Sequence, residues 1–514
     1  MKYWHMQIHP NNKKDFSLEQ FNNIVHQGLI GMGEAWENDL NQPKVFKQNL
    51  MIGDVVLLRH DGPKGLVKIV GECRNNEDTN LWFNIVRNVE TLSTEGELYK
   101  RRYEIENSSK SWKEGLYLAA TLQPAENCPF IKYWHKKIIK DQQMEEYINL
   151  LKSNKNLILT GAPGTGKTYL AKEIANAVAI EDEEILAKRF FKQMEVGSTI
   201  DTKNGNSKFK VDSNDGEIIH YTREATKESG AISFKEVWKK LFEKNFAPRN
   251  GGDTYSVAIA LVIKESMEDV SDSESVSFVQ FHPSYDYTDF VEGLRPIKKE
   301  GEKELGFELK NGIFKEFCKK AKENPNKNYV FIIDEINRAE VSKVFGELFY
   351  SIDPGYRGEK GKVKTQYNNI QTEETFFTDI ADDYFYVPEN VYIIGTMNDI
   401  DRSVESFDFA MRRRFAWVEV KADDRISMWG DADWKAEAEA KMKAINKIIE
   451  KDIDGLNSSY HIGPSYFLKM NLEEYSFEKL WDYHIGVILN EYLRGMPNAE
   501  SDFEKLKKAY DDAK

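Results

Sequence analysis

Apolar residues change their spacing partway along this 514-residue chain, and the change separates two kinds of structure. Towards the N-terminus, short apolar runs are bounded by turn signals. Met51 to Leu58 (Met-Ile-Gly-Asp-Val-Val-Leu-Leu) and Gly65 to Gly71 (Gly-Leu-Val-Lys-Ile-Val-Gly) flank Asp61-Gly62-Pro63, and Leu81 to Val86 and Leu116 to Leu122 follow the same habit. Runs of this length, rich in β-branched residues, predict strands, so residues 1–120 read as β-rich. Gln123 to Pro129 holds two prolines without periodicity and reads as a linker. From Ile138 to Leu151 the spacing suits a helix. Beyond it, apolar runs alternate with amphipathic stretches, the mark of a largely parallel α/β sheet. Residues 181–274 break this rhythm with polar, charged, Gly- and Asn-containing sequence and read as an insertion. After Val420 the spacing is helical to the end, which predicts a small α-helical lid. Lys-Tyr-Trp-His occurs at 2–5 and again at 132–135, and one shared tetrapeptide is read as coincidence rather than a repeat.

Chemistry enters with Gly161-Ala162-Pro163-Gly164-Thr165-Gly166-Lys167-Thr168, which fits G-x-x-x-x-G-K-[ST]. A strand-like run, Asn156 to Thr160, precedes it. An apolar stripe at helical spacing (Leu170, Ala171, Ile174, Ala175, Val178) follows it. In that setting the loop's N–H groups and the helix N-terminus face a β-phosphate. Lys167 then supplies a charge to the β- and γ-phosphates, and the Thr168 hydroxyl ligates Mg²⁺.

Such a loop needs a carboxylate on a neighbouring strand tip. Tyr329-Val330-Phe331-Ile332-Ile333-Asp334-Glu335 supplies one, with Asp334 on the metal side and Glu335 placed as general base for the attacking water. A third run, Val391 to Asn398, ends in an amide that can orient that water. Arg412-Arg413-Arg414-Phe415 follows, and an arginine at a subunit edge can neutralise a neighbour's transition state. Which of the three serves is left open by the sequence.

Composition narrows the class only a little. Net charge is −14, but residues 1–120 carry 15 Lys and Arg against 16 Asp and Glu, so charge neither supports nor excludes DNA binding. No apolar stretch reaches the roughly eighteen residues of a membrane span, and no signal-peptide pattern opens the chain. Cys73, Cys128 and Cys318 show no metal-ligand spacing, so a cytoplasmic protein with reduced thiols is expected.

Several longer tracts are more specific. Asp334-Glu335-Ile336-Asn337-Arg338-Ala339 with Ser342 to Glu347, Gln280-Phe281-His282-Pro283-Ser284-Tyr285-Asp286-Tyr287 continuing through Asp289 to Pro296, Met397-Asn398 with Asp401-Arg402-Ser403, Arg412 to Phe415, and Ile462-Gly463-Pro464-Ser465-Tyr466-Phe467 all occur within the second half of the chain or close to it. Together they resemble the McrB family of AAA+ GTPases from about residue 155 to 495. The family tract usually reads Met-Asn-Thr-Ala-Asp-Arg-Ser, and here Asp399-Ile400 replaces Thr-Ala.

The resemblance implies a homo-hexamer hydrolysing GTP (ATP possible) with Mg²⁺, Asp401 near the nucleotide, a separate McrC-type nuclease as partner, and movement on DNA. Residues 1–120 also resemble an EVE/PUA-like barrel, through Tyr3-Trp4, Ile30-Gly31-Met32-Gly33 and Ile52-Gly53-Asp54-Val55-Val56. That likeness makes Trp4, Trp36, Trp82 and Trp112 candidate walls of a modified-base pocket. The expected fold class is α/β. A β-rich reader at 1–125 and a linker with leading helix at 126–150 precede a P-loop core at 151–420, with its insertion at 181–274, and a lid at 421–514. The rival readings are an ATP-driven MoxR-like protein remodeller and a modified-DNA binding module with an NTPase switch.

Overall fold

The structure, a computed structural model, describes residues 1–7, 26–32, 42–59, 63–77, 83–94, 122–126, 128–179, 183–202, 207–242, 254–270, 275–297, 306–377, 384–400, 409–430 and 432–513. Its internal contacts divide the chain into two compact units. One takes in residues 1–145, 199–212 and 218–261, and the other residues 146–198, 213–217 and 262–514. No helix among the described residues is long and apolar enough to cross a membrane.

In the first unit, β1 (Tyr3–Gln7), β2 (Leu29–Met32), β3 (Val55–Arg59), β4 (Pro63–Ile69), β5 (Arg74–Asn75), β6 (Ile85–Ser93) and β7 (Leu122–Pro124) form one sheet. Its order is β2-β6-β4-β3-β1-β7, with β5 on β6. Side chains alternate across the pleat. Trp4 and Met6 enter a core with Val56, Leu58, Val67 and Val86, while Tyr3 joins Val55, Leu57 and Leu66 on the other face. That second face is covered by the start of helix α1 (Pro129–Asn154) through Phe130, Ile131, Trp134 and Ile138.

Two sequence readings change here. The stretch from Gln123 is not a linker, because Leu122–Pro124 pairs antiparallel with β1. The strand expected from Leu81 begins at Ile85, and residues 78–82 lie outside the described set. The two copies of the tetrapeptide take different structures. Its first copy enters a strand and its second a helical turn, and the Tyr3 hydroxyl lies 3.2 Å from His135 Nδ1.

The second unit is built on β8 (Asn156–Thr160), followed by helix α2 (Lys167–Ala179). The insertion, most of which is counted with the first unit, holds β9 (Thr199–Asp201), β10 (Lys208–Asn214), β11 (Ile218–Arg223) and β12 (Ser229–Ser233), paired as an antiparallel sheet. It therefore carries regular structure that its polar composition hid, because its longer strands bury only alternate residues such as Phe209, Val211, Ile219 and Tyr221. After helix Thr254–Val270 come β13 (Val276–Gln280), the hairpin β14 (Glu292–Ile297) and β15 (Gly306–Asn311), β16 (Tyr329–Asp334), β17 (Val391–Thr396) and β18 (Ala416–Glu419).

The strands β13-β16-β17-β8-β18 lie in that order, all parallel. Parallel strands covered on both faces are apolar along their buried length, as β16 is as far as Asp334 and β17 as far as Thr396. The carboxyl ends of β8, β16 and β17 are thus neighbours, where ligands collect in open α/β sheets.

The hairpin is anchored by a fully buried ion pair, Lys315 Nζ to Glu292 Oε2 at 2.6 Å, with Gln371 Nε2 donating to the same oxygen. Substituting Lys315 by Met leaves that carboxylate buried without its counter-ion. A loss of about 3–5 kcal/mol in unfolding free energy is expected, measured by denaturant titration.

From 421 onwards, short 3₁₀ and α-helices pack around Met442, Ile445, Phe467, Trp481 and Leu489. Their longest members are Lys435–Lys451 and Ala499–Asp512, and the predicted lid is present.

Candidate active site

The loop from Gly161 to Thr168 joins β8 to α2. Gly164 and Gly166 adopt φ of 74° and 90°, which a side chain resists and which turn the backbone tightly enough to cup a phosphate. The Lys167 ammonium donates to the carbonyls of Gly161 (3.0 Å) and Ala162 (2.7 Å), so it is held across the mouth of the loop.

The Thr168 hydroxyl donates to Asp334 Oδ1 at 2.7 Å, bringing the loop and the β16 tip together. A hydroxyl that would ligate Mg²⁺ beside a carboxylate that would hold the ion through water is a donor set of hard oxygens, which fits that ion. No cluster of three or more His, Cys, Asp or Glu suited to a metal occurs among the described residues.

Thr396, at the end of β17, was not singled out from sequence and sits between the two acids. Its hydroxyl donates to Asp334 Oδ1 (2.6 Å) and accepts from the Glu335 N–H (3.2 Å). Only its place one residue before Met397-Asn398 could have flagged it. Glu335 takes a left-handed backbone, φ 53° and ψ 45°. A non-glycine residue pays roughly 1–3 kcal/mol for that conformation, which persists only where surrounding contacts impose it. Here the Thr396 hydroxyl holds the backbone through the Glu335 N–H, and the carboxylate is held by Asn398 Nδ2 to Oε1 at 2.8 Å and Arg338 Nε to Oε2 at 3.3 Å.

Asp399 follows Asn398, its N–H 3.4 Å from the Gly161 carbonyl. Desolvation raises its carboxyl above the usual range, and the Lys167 charge offsets part of that rise. Ionised, it competes with phosphates for Lys167. Asp399→Asn is expected to lower the KM for triphosphate about two- to fivefold at neutral pH. Because the native pKa is raised, the advantage of the variant shrinks as pH falls through it, where the native carboxyl is already neutral. Initial rates at two pH values check this.

The three arginines separate. Arg414 is buried, lies over the Phe349 ring at 4.4 Å, and approaches Asp353 at 3.7 Å. Its carbonyl is bonded by Asn156 Nδ2 at 2.8 Å. That side chain packs within its own chain, so Arg414 is less suited to a finger than the exposed arginines beside it. Arg412 lies over Trp417 at 5.3 Å on the surface. Arg413 is exposed, and among the described residues no hydrogen bond or ion pair of its guanidinium is found.

Trp4 also departs from its expected role. It is 2% exposed, and its Nε1 donates to Asp54 Oδ2 at 2.9 Å, so the indole is a satisfied core group rather than a pocket wall. Trp36, Trp82, Trp112 and Asp401 lie outside the described residues.

Comparison with known proteins gives three family matches. Residues 157–280 match the ATPase family associated with various cellular activities (AAA). Residues 260–415 match an AAA domain of the dynein-related subfamily. Residues 437–501 match the McrB α-helical lid domain. Among relatives, the Type IV methyl-directed restriction enzyme EcoKMcrB subunit of Escherichia coli (strain K12) is 41% identical over 202 residues, 38% of this chain and 40% of that protein. The Type II restriction enzyme BsuMI component YdiS of Bacillus subtilis (strain 168) is 28% identical over 191 residues, 30% of this chain and 55% of that protein. The chain thus spans about half or less of the length of these relatives. The phosphate loop and the paired acids fall within the AAA-type matches, and the C-terminal helices fall within the McrB-type lid match, so residues 157–415 carry AAA domain sequence and residues 437–501 a lid of the McrB type.

Proposed function

We propose that this chain hydrolyses GTP in preference to ATP, as a homo-hexameric ring with Mg²⁺, and that the ring drives a separate McrC-type nuclease on DNA carrying modified bases. The observation that carries the hydrolytic reading is the meeting of Thr168, Asp334, Glu335 and Asn398 at the tips of β8, β16 and β17. The McrB-type lid and the restriction-system relatives support the rest.

In this reading Thr168 and Asp334 hold Mg²⁺, which when bound neutralises charge on the β- and γ-phosphates. Lys167 swings from the loop carbonyls to those phosphates. Glu335, oriented by Asn398 and Arg338, accepts a proton from the attacking water. The water oxygen bonds to the γ-phosphorus as the bond to the bridging oxygen breaks, giving GDP and phosphate. Arg413 of an adjacent subunit neutralises the charge that builds between them. The β-rich N-terminal unit serves as the reader of modified bases, on the strength of its EVE/PUA-like segments.

Phosphate release from GTP and from ATP, with and without the product of an adjacent nuclease-like gene, tests this. GTP turnover at least about tenfold faster, and stimulated by the nuclease, is expected. Equal or faster ATP turnover without stimulation would favour a MoxR-like remodeller. Slow turnover, with Glu335→Gln keeping all biological activity, would favour a binding module with a switch.

A further inference from the structure

One side of the phosphate loop is closely packed against segments of the lid. A side chain added at Gly164 would fall 2.6 Å from the Tyr466 ring and 2.7 Å from Ser465 Oγ. At Gly166 it would fall 2.7 Å from Met428 Cε. The contact is closest at Gly463, where a Cβ would lie 2.1 Å from the Gly164 carbonyl carbon and 2.4 Å from the Thr165 nitrogen. Main-chain bonds join the two segments of this contact, Gly463 N–H to the Pro163 carbonyl (3.3 Å) and Ser465 N–H to the Gly164 carbonyl (3.0 Å). Met428 and the 463–466 strap are themselves linked, because Trp429 Nε1 donates to the Pro464 carbonyl at 2.7 Å.

We propose that Gly463, Ser465 and Trp429 form a positioning clamp for nucleoside triphosphate, through which the lid holds Pro163 and Gly164 in their phosphate-binding conformation. The proposal rests on the hydrolytic reading above and adds a structural dependence to it. The carbonyls of Pro163 and Gly164 are bonded outwards to the lid, so the flanking N–H groups are left to turn inwards. A lid that lifts releases the loop, and a loop ordered by phosphate draws the lid down. Reciprocity of this kind is required whenever two elements share one equilibrium. The contacts of all three residues run to the loop and the lid rather than to Asp334, Glu335 or Asn398, so the clamp acts on binding and not on the chemical step.

Gly463→Ala drives a methyl group between strap and loop, and Trp429→Phe removes the Nε1 donor while keeping the ring packing. Steady-state hydrolysis by the full chain is the readout. Gly463→Ala is expected to raise KM about tenfold or more and Trp429→Phe about threefold, each with kcat at saturation within about threefold of wild type. Unchanged KM in both Gly463→Ala and Trp429→Phe, or losses confined to kcat, would overturn the clamp. A loss of thermal stability with KM unchanged would mean a merely structural contact and would overturn it equally. If instead wild type and Lys167→Ala release phosphate equally slowly, the hydrolytic reading itself fails, an outcome distinct from failure of the clamp.

Discussion

Glu335→Gln is expected to slow triphosphate hydrolysis by about 10² to 10⁴-fold while leaving nucleotide binding intact, because a positioned general base contributes that much and an amide cannot accept the proton. Three features of the site make the effect large. Glu335 is held in a left-handed backbone by the Thr396 contact to its N–H, so its side chain starts from an imposed position. Asn398 fixes one carboxylate oxygen and Arg338 lies against the other, leaving little rotational freedom to lose on reaching the transition state. The substitution also changes almost no volume, so the fold is preserved. Single-turnover rates, combined with binding of a fluorescent nucleotide, separate the two effects. A variant that hydrolyses within a factor of a few of wild type would remove Glu335 from the chemistry.

Arg413→Ala is expected to cost about 10³-fold in hydrolysis without loss of folding, the scale set by arginine fingers acting on phosphoryl transfer. Arg414→Ala should behave differently. It withdraws a buried guanidinium from Phe349 and Asp353, so it lowers stability first and activity only as a consequence. Mixing distinguishes an arginine that acts across a subunit boundary from one that acts within. Arg413→Ala subunits keep an intact phosphate loop, and Lys167→Ala subunits keep an intact arginine. A mixed population should regain activity that neither has alone. No recovery at any ratio would place the arginine's effect within its own subunit.

Much of this site is legible in the linear chain because its residues sit at strand ends. Five apolar residues followed by two acids, as in Tyr329 to Glu335, mark a buried strand that delivers carboxylates to a sheet edge, and the glycine spacing before Lys167 marks the loop beside it. Other features were illegible for definite reasons. The division among three consecutive arginines depends on which faces a core, and periodicity over three residues cannot say. Thr396 looks like one more strand residue until β17 is placed beside β16, when its hydroxyl falls between two acids. Lys-Tyr-Trp-His enters a strand at Tyr3 and lies within a helix at 132–135, so the tetrapeptide has no preference of its own and tertiary packing decides. The β-strands of the insertion were hidden because an antiparallel sheet with one wet face needs only half of its residues to be apolar.

The proposed chemistry depends on Lys167, Thr168, Asp334 and Glu335 converging on one magnesium-bound triphosphate. Calorimetric titration of the purified chain with Mg·GTP, beside the same titration of Lys167→Ala, addresses that convergence most directly. The expected result is a single class of site in the wild-type chain, with affinity lowered about a hundredfold, or ~2.7 kcal/mol, in the variant. Absence of binding in the wild-type chain, or equal affinity in the two, would contradict it.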